Sequence, residues 1–341
     1  MLTRRWQPRT DSLPVAALQE LCATLHVTPL TARALFGRGV QSAEDGSAFF
    51  ANRLATLPDP LLLPGMAAAV ERLAAAVTGG EKIAVHGDYD VDGITGTALL
   101  VETLRAFGAE VSYHIPLRLR DGYGLSAEAI RASAEAGVRL LVTVDCGISA
   151  MAEASLAAAL GLDLIITDHH QPPPLLPPAV AIVNPALPDH LFPCRELAGV
   201  GVAFFLLVAL RQRLRQQGAF RQRPEPDLRR SLDLVALGTI ADMVPLQGVN
   251  RLLARFGLGV LSGQQRPGIA ALKKVAAVAD PVNCGAVAFR LAPRLNAAGR
   301  LEDANLGVEL LLTSDPGRAG EIAELLDGFN RERQQLGNLP G

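Results

Sequence analysis

Cysteine is scarce in this chain, and its few occurrences are far apart. The four cysteines are Cys22, Cys146, Cys194 and Cys284, with no CxxC pair and no close cluster. Disulfide frameworks and zinc knuckles depend on closely spaced cysteines, so this spacing argues against both. We therefore expect a reducing compartment, with Cys146 as a small buried residue.

The chain also lacks a long hydrophobic run. The longest, Val200 to Leu210, is too short to cross a bilayer and leads into an arginine-rich segment. Residues Met1 to Thr10 are polar and have no apolar core of the signal-peptide type. We therefore expect a cytoplasmic protein with no membrane partner.

Positive charge is not in excess either, because the formal net charge is −2 and lysine occurs only at Lys82, Lys273 and Lys274. This balance argues against DNA binding by bulk electrostatics, although an acidic metal site would offset local basic patches. Arginines are dense between Arg211 and Arg230. The segment is either a phosphate-facing surface or a solvated helix end and loop, and the interruption at 224–227 favours the second interpretation.

A histidine and three aspartates are concentrated in the segment His86-Gly87-Asp88-Tyr89-Asp90-Val91-Asp92-Gly93. An apolar strand-like run precedes it and a helix-like segment follows it, so these groups are expected at the carboxyl end of a strand. Crowded carboxylates repel one another unless a cation lies between them, and Asp with neutral His suits Mn²⁺ or Mg²⁺. The alternative is a solvated acidic turn with a capping Asp.

The same arrangement recurs along the chain. The apolar run 139–144 leads into Asp145, the run 164–167 leads into Asp168-His169-His170, and a fourth apolar stretch ends at Asp242. Since the carboxyl ends of parallel strands meet at one edge of a sheet, we expect these segments to converge there.

Alternating strand and helix patterns predict the fold class α/β, with a doubly wound, mainly parallel sheet. Strands are predicted at 83–85, 110–115, 140–144, 164–167 and 180–183. A helical preamble precedes this region and a mainly helical portion follows it. The proline-rich segment 171–178 must be a loop, either a stiff lid over the site or a plain surface loop.

Taken together, the motifs HGDYDVDG, VDCG, TDHH and GTIADMVPL resemble, in that order, the four metal-site motifs of the DHH phosphoesterase superfamily. Within it the chain is most similar to the RecJ family of single-stranded-DNA-specific exonucleases, through the further stretches 115–126, 196–201 and 291–300. The resemblance extends from about Lys82 to the end of the chain. It implies 5′-to-3′ degradation of single-stranded DNA in repair and recombination.

The resemblance also implies a site with two divalent cations, Mn²⁺ or Mg²⁺. The first ion would be held by His86, Asp90 and Asp145. The second would be held by Asp92, Asp145, His169 and Asp242, with Asp145 bridging. Asp88 and His170 would orient the ligands, and His170 would shuttle a proton unless its hydrogen bonds are purely structural.

Four residues are implied as contacts to the DNA: Arg118, Arg294, Asn296 and Arg300. Arginine suits bidentate phosphate contacts, although salt bridges that tie loops to the sheet are an alternative for each one. Further partners implied by the resemblance are a single-strand-binding protein and a helicase, and a monomer is expected.

One departure from the family pattern concerns the second domain, since no GGGH motif follows the segment 326–341. We expect a helical region at 1–80, a DHH catalytic domain at 81–325 and the start of a connecting helix at 326–341. Either the sequence is partial or half of the cleft is missing, so we expect intact metal binding with weakened or absent processive degradation. A short-oligonucleotide or small-molecule phosphoesterase and a non-catalytic scaffold remain as alternatives.

Overall fold

The computed structural model describes residues 14–50, 53–117, 124–263, 266–298 and 305–337, and every structural statement below concerns these residues. The chain divides into two compact units, Met1–Leu57 and Pro58–Gly341. The first contains helices α1 (Val15–Leu25), α2 (Pro29–Phe36) and α3 (Ala43–Phe50). Their buried side chains, which include Leu21 and Leu35, form a small core. The boundaries expected at residues 80 and 325 stay predictions.

The second unit is built on a five-stranded sheet. Its strands are β1 (Ile83–Gly87), β2 (Val111–His114), β3 (Leu140–Val144), β4 (Asp163–Thr167) and β5 (Ala181–Val183). The strand order is β2-β1-β3-β4-β5, and all neighbours are parallel. Every residue of β1 and β3 is buried, as expected for strands covered on both faces. The predicted α/β fold class is confirmed.

Helices cover both faces of this sheet. The described residues of this unit form helices α4 (Met66–Gly79), α5 (Val91–Phe107), α6 (Ala127–Glu135), α7 (Met151–Ala159), α8 (Gly199–Gln216), α9 (Leu232–Ala241), α10 (Gly248–Gly263), α11 (Pro267–Val275), α12 (Cys284–Ala286), α13 (Ala292–Ala298), α14 (Leu306–Leu312) and α15 (Pro316–Gly337), of which α4 to α8 pack on the strands. Residues of α6 and α7 pack against Ala84, Leu141 and Leu164. Helices α6 and α7 thus cover one face of the sheet. Helices α5 and α8 also contact strands, and they cover the opposite face, since side chains alternate between the two faces of a strand.

The strand order creates a crevice between β1 and β3. The connection after β1 leads to β2 on one side, and the chain then returns past β1 to form β3 on the other. Open parallel sheets bind their ligands at such a switch point, outside the carboxyl ends of the strands. The fold therefore places the segment after His86 next to Asp145.

Among the described helices, no single one has both the length and the apolar composition needed to cross a membrane. Two helical segments joined by a bend, Leu54–Leu62 and Met66–Gly79, meet the two criteria only if they are counted as one.

Candidate metal centre

Four chain segments bring carboxylate and imidazole groups to the crevice between β1 and β3. The residues concerned are Asp88, Asp90 and Asp92 after β1, Asp145 after β3, Asp168, His169 and His170 after β4, and Asp242 after α9. Three of the segments follow strands, whereas Asp242 follows the end of a buried helix. The structure thus brings together the acidic segments that the sequence placed at one sheet edge.

His169 lies at the meeting point of three carboxylates. Its Nε2 is 2.9 Å from Asp145 Oδ1, 3.7 Å from Asp242 Oδ2 and 3.8 Å from Asp92 Oδ2. Despite the short distance to Asp145, this buried nitrogen makes no hydrogen bond to a described residue. A buried nitrogen that faces three carboxylates without a hydrogen bond fits a metal ligand set.

A second group of oxygens surrounds the other side of Asp145. Ligand atoms of Asp88, Asp90 and Asp145 all lie within 4.8 Å of one another, as do those of Asp145, His169 and His170. The Oδ1 atom of Asp88 is buried and has no hydrogen-bond partner among the described residues. Asp145 therefore lies between two groups of oxygen and nitrogen donors.

Burial controls the protonation of these groups. It raises the pKa of Asp88 to about 7 and that of Asp242 to about 6, and repulsion from Asp90 adds to both shifts. Burial and then neighbouring carboxylates raise the pKa values of Asp92 and Asp145 well above their usual range. The pKa of His169 is lowered by burial to about 4, so its ring is neutral at pH 7. Mutually repelling carboxylates beside a neutral imidazole suit a divalent cation.

Asp92 is held by the start of helix α8. Its Oδ2 accepts a hydrogen bond from Gly199 N at 2.6 Å, and its Oδ1 accepts one from Val200 N at 2.9 Å. A helix amino terminus stabilises negative charge, so α8 opposes the effect of burial on this carboxylate. A Cβ on Gly199 would lie 2.7 Å from Asp145 Cβ. Glycine at position 199 therefore allows α8 to approach both ligand candidates.

Local backbone features orient two other aspartates. Asp90 is the amino-terminal cap of α5, and its Oδ1 accepts hydrogen bonds from Asp92 N at 2.8 Å and Gly93 N at 3.1 Å. The capping interpretation of the acidic turn is therefore correct for this oxygen. Asp145 has a φ of 62°, a left-handed conformation that Asp tolerates better than most residues. This turn points the chain away from β3 directly after the strand.

Asp168 anchors the histidine pair rather than facing the carboxylates. Its carboxylate accepts hydrogen bonds from the backbone N–H groups of Ile148, His169 and His170, at 2.9, 2.7 and 3.1 Å. His170 Nδ1 lies 2.7 Å from Asp168 Oδ1, and this contact raises the pKa of His170. Sequence reasoning gave Asp168 no role, although its place at the end of β4 was a signal.

His86 lies deeper in the crevice. Its Nε2 is 3.0 Å from the carbonyl oxygen of Gly124, and a proton on Nε2 is required for this hydrogen bond. Nδ1 is then the ring nitrogen that could serve a metal. The groups of mutually close ligand atoms found among the described residues do not include His86.

The DNA contacts expected from the sequence have different positions. Arg118 and Arg300 lie outside the described residues. Arg294 Nε donates to Asp327 at 2.8 Å, so this guanidinium makes the structural ion pair that was the alternative interpretation. Asn296 Oδ1 accepts a hydrogen bond at 3.1 Å from Val91 N, between Asp90 and Asp92. Asn296 is thus next to the acidic turn.

Several arginines of the segment 211–230 are engaged in ion pairs. Arg215 contacts Glu225, Arg229 contacts Asp227, and Arg213 Nε lies 2.9 Å from Glu71 Oε1. These pairs favour the solvated-surface interpretation of the segment over a phosphate-facing one.

Comparisons with known proteins agree with this geometry. Residues 82–239 match the family model for the DHH family, N-terminal domain. The single-stranded-DNA-specific exonuclease RecJ of Bacillus subtilis is 44% identical over 334 residues, covering 97% of this chain and 40% of the relative. The crystal structure of RecJ in complex with Mn²⁺ from Thermus thermophilus has a TM-score of 0.79 at 38% identity, covering 95% of this chain and 45% of that one.

A further crystal structure, of exonuclease RecJ bound to manganese, has a TM-score of 0.73 at 41% identity and covers 83% of this chain and 69% of that one. By fold and site, the second unit is an α/β domain of the DHH type with residues suited to divalent metal. The chain belongs to the RecJ family. It spans about half the length of the curated relatives it matches.

Proposed function

We propose that the chain hydrolyses phosphodiester bonds of single-stranded DNA from the 5′ end by a two-metal mechanism, in DNA repair and recombination. The observation that carries this proposal is His169 Nε2, a buried nitrogen within 4 Å of carboxylate oxygens from Asp92, Asp145 and Asp242. The similarity to RecJ over nearly the whole chain supports the choice of substrate and polarity.

The proposed ligand sets are those that the resemblance to the family implies, and the crevice brings most of their members together. In this proposal His86, Asp90 and Asp145 hold one cation, and Asp92, Asp145, His169 and Asp242 hold the other. Divalent cations at such sites acidify bound water and stabilise charge on the attacking and leaving oxygens. Asp145 is proposed as the shared ligand because its donor atom lies close to those of Asp88 and Asp90 and also to those of His169 and His170.

Two residues beside the ligands are suited to proton transfer. His170 is half-exposed, and its hydrogen bond to Asp168 raises its pKa, so it stays protonated to higher pH and can give a proton to the leaving oxygen. Asp88, whose donor atom lies within 4.8 Å of those of Asp90 and Asp145, is proposed as the second residue that takes up or returns a proton beside the ligands. Arg118, Arg294, Asn296 and Arg300 are proposed to hold the strand on the basis of the resemblance.

The test is degradation of single-stranded DNA labelled at the 5′ or 3′ end, with Mn²⁺, Mg²⁺ or EDTA. Asp145→Asn should abolish activity, since it removes the shared carboxylate. Asp189→Asn is the matched control, because Asp189 is exposed and also has a left-handed backbone, with φ 59° against 62° for Asp145.

Each outcome distinguishes one function from the others. Metal-dependent loss of the 5′ label that disappears only in Asp145→Asn supports the nuclease. Cleavage of a dinucleotide but not of longer DNA indicates a short-substrate phosphoesterase. Mn²⁺ binding without any hydrolysis indicates a non-catalytic role and rejects the proposal.

We also propose a cytoplasmic setting, a monomer, and cooperation with a single-strand-binding protein and a helicase. Membership of the RecJ family supports these partners, because a helicase produces single strands and a single-strand-binding protein covers them. Sedimentation of the purified chain tests the monomer.

A further inference from the structure

Met243 is an exposed apolar residue in a left-handed backbone conformation directly after Asp242. Its φ is 62°, and its N–H donates a 3.3 Å hydrogen bond to Ile240 O at the end of helix α9. The residue is 85% exposed. Single exposed apolar residues are common, so the exposure alone indicates nothing. An exposed apolar residue that also has an unfavourable backbone conformation is less common.

The backbone position favours glycine rather than methionine. Helices often end in a left-handed residue, and glycine is preferred there because a Cβ in this conformation is unfavourable. A buried side chain could offset this cost by packing, but that of Met243 faces solvent. Among the described residues, the fold therefore gives no reason for a large apolar side chain at this position.

The location of Met243 is next to the metal centre. Asp242 Oδ2 lies 3.7 Å from His169 Nε2, and the side chain of Asp242 is 21% exposed. The donor group is thus open to solvent on the side of Asp242. Met243 is the next residue along the chain and is itself exposed, and on these two grounds we place it at the rim of this opening.

A methionine at this rim suits one part of a nucleic acid. A thioether is uncharged, flexible and polarizable, so it does not bind phosphate but packs well on the aromatic ring of any base. We propose that Met243 packs against a nucleobase of the single strand whose phosphate is at the metal centre. This inference rests on the proposed function and adds a contact that does not discriminate between bases.

The test compares Met243→Gly, Met243→Leu and the control Ala277→Gly. Ala277 follows helix α11 as Met243 follows α9: it is exposed, has a φ of 50°, and donates its N–H to Lys274 O three residues back. Both glycine variants should raise the Tm by about 1–3 °C, because they relieve the same backbone strain. Only Met243→Gly should lower kcat/KM on single-stranded DNA, by about three- to tenfold, and the loss should appear as a higher KM. Met243→Leu should keep most of the wild-type kcat/KM, because leucine is also a large apolar side chain.

An abasic scan locates the contact. One of the first few nucleotides is replaced by an abasic residue, and wild type is compared with Met243→Gly on each substrate. At the contacted position the difference between the two proteins should disappear, because the base that Met243 touches is gone. A difference that persists at every position overturns the proposal.

Further outcomes separate this contact from the proposed function. If Met243→Gly retains the wild-type kcat/KM, the proposal is overturned. It is also overturned if Met243→Gly loses tenfold in Mn²⁺ affinity, because Met243 would then act through Asp242 and not through the DNA. Oligonucleotide binding in Ca²⁺, followed by fluorescence anisotropy, gives a readout without hydrolysis. If the protein cleaves no DNA but Met243→Gly weakens oligonucleotide binding, the proposed nuclease function is rejected, whereas the contact between Met243 and a base is supported. Binding unaffected by Met243→Gly would reject the contact whether or not DNA is cleaved.

Discussion

Asp145 is buried, has a left-handed backbone and lies between two groups of metal-type donors. Its pKa is raised by burial and then by Asp92 and Asp90, which means that its negative charge is unfavourable in the metal-free protein. The residue suited to bridge two cations therefore destabilises the fold when the cations are removed.

Asp145→Asn should therefore raise the Tm in EDTA by a few degrees, since about 1 kcal/mol shifts the Tm of a large domain by roughly 2–4 °C. Mn²⁺ should raise the Tm of wild type and of Asp189→Asn, but not that of Asp145→Asn. Differential scanning calorimetry measures both effects. A destabilised Asp145→Asn that still responds to Mn²⁺ would contradict the assignment.

The side-chain amide of Asn296 has an oxygen that holds the acidic turn and an NH₂ group that is left for the substrate, and the two roles can be tested separately. Val91 N–H can pair only with the amide oxygen, so Nδ2 is the part of this exposed side chain left to meet a substrate. Asn296→Asp keeps the acceptor for Val91 and replaces the donor by a negative oxygen. We expect kcat/KM on DNA to fall on the order of tenfold, the value of a charge-assisted hydrogen bond, with Mn²⁺ affinity nearly unchanged.

The control is Asn283→Asp, because Asn283 Oδ1 likewise accepts a backbone hydrogen bond, from Ala286 N at 2.9 Å. It should leave DNA cleavage unchanged. If Asn296→Asp also retains wild-type cleavage, Asn296 only holds the acidic turn.

At this scale the sequence predicted which acidic and histidine side chains meet in the crevice, but not the contacts that support them. Asp92 and His169 follow strand ends and resemble known motifs, so they could be anticipated. The contact between Asn296 and Val91 joins residues 205 positions apart, and no local pattern encodes it. The same holds for the pairing of Arg294 with Asp327, which depends on how two helices pack.

At the scale of elements, the start of helix α8 controls the geometry of the centre. Gly199→Ala would place a Cβ 2.7 Å from Asp145 Cβ, so α8 or Asp145 must move. We expect a loss of about 1–3 kcal/mol in the free energy of unfolding and weaker Mn²⁺ binding. Urea denaturation and calorimetric titration measure the two.

Gly259→Ala is the matched control, because Gly259 lies in helix α10 and a Cβ there meets nothing within 4 Å. It should stabilise the protein by roughly 0.5–1 kcal/mol without an effect on Mn²⁺ binding. Equal effects of the two substitutions would show that α8 does not constrain the site.

Apolar runs predicted the strands well because buried parallel strands are hydrophobic on both faces. The mainly helical portion expected after the sheet includes α9, so Asp242 follows a helix rather than a strand. Nearly all of α9 is buried, so its apolar residues show no periodicity that separates a helix from a strand.

At the scale of the whole molecule, protons and metal compete for the same carboxylates. The pKa values of Asp88 and Asp242 rise from 3.8 to about 7 and about 6 in the folded state. A carboxyl that binds its proton more tightly when folded contributes stability below the unfolded pKa, and this stability is lost as pH rises through the folded pKa. These two carboxyls should therefore cost the metal-free protein stability between about pH 4 and pH 7, whereas His169, whose pKa is lowered by burial to about 4, offsets part of that loss.

Thermal unfolding in EDTA across this range checks the expectation, and saturating Mn²⁺ should remove the decline because the cations replace the protons. Asp88→Asn should flatten the metal-free profile, whereas Asp189→Asn should not. A metal-free Tm that rises toward pH 7 would show that other groups dominate.

The fold class could be predicted because strand and helix patterns alternate over a long stretch of the chain. The domain boundary expected at residue 80 stays a prediction; helix α4 precedes it and is part of the compact unit that starts at Pro58. Boundaries depend on which helices share a core, and amphipathic patterns do not reveal the partner of a helix.

The candidate ligands extend from His86 to Asp242, and the strand that carries Asp145 lies between β1 and β4. During synthesis, the ribosome releases the acidic turn long before Asp242 emerges. A nascent chain therefore displays an incomplete donor set for several seconds, at about 5–20 residues added each second. In the proposed ligand set the second cation uses Asp242, so a ribosome stalled before α9 has emerged would hold a chain that lacks one of the four proposed ligands of that cation.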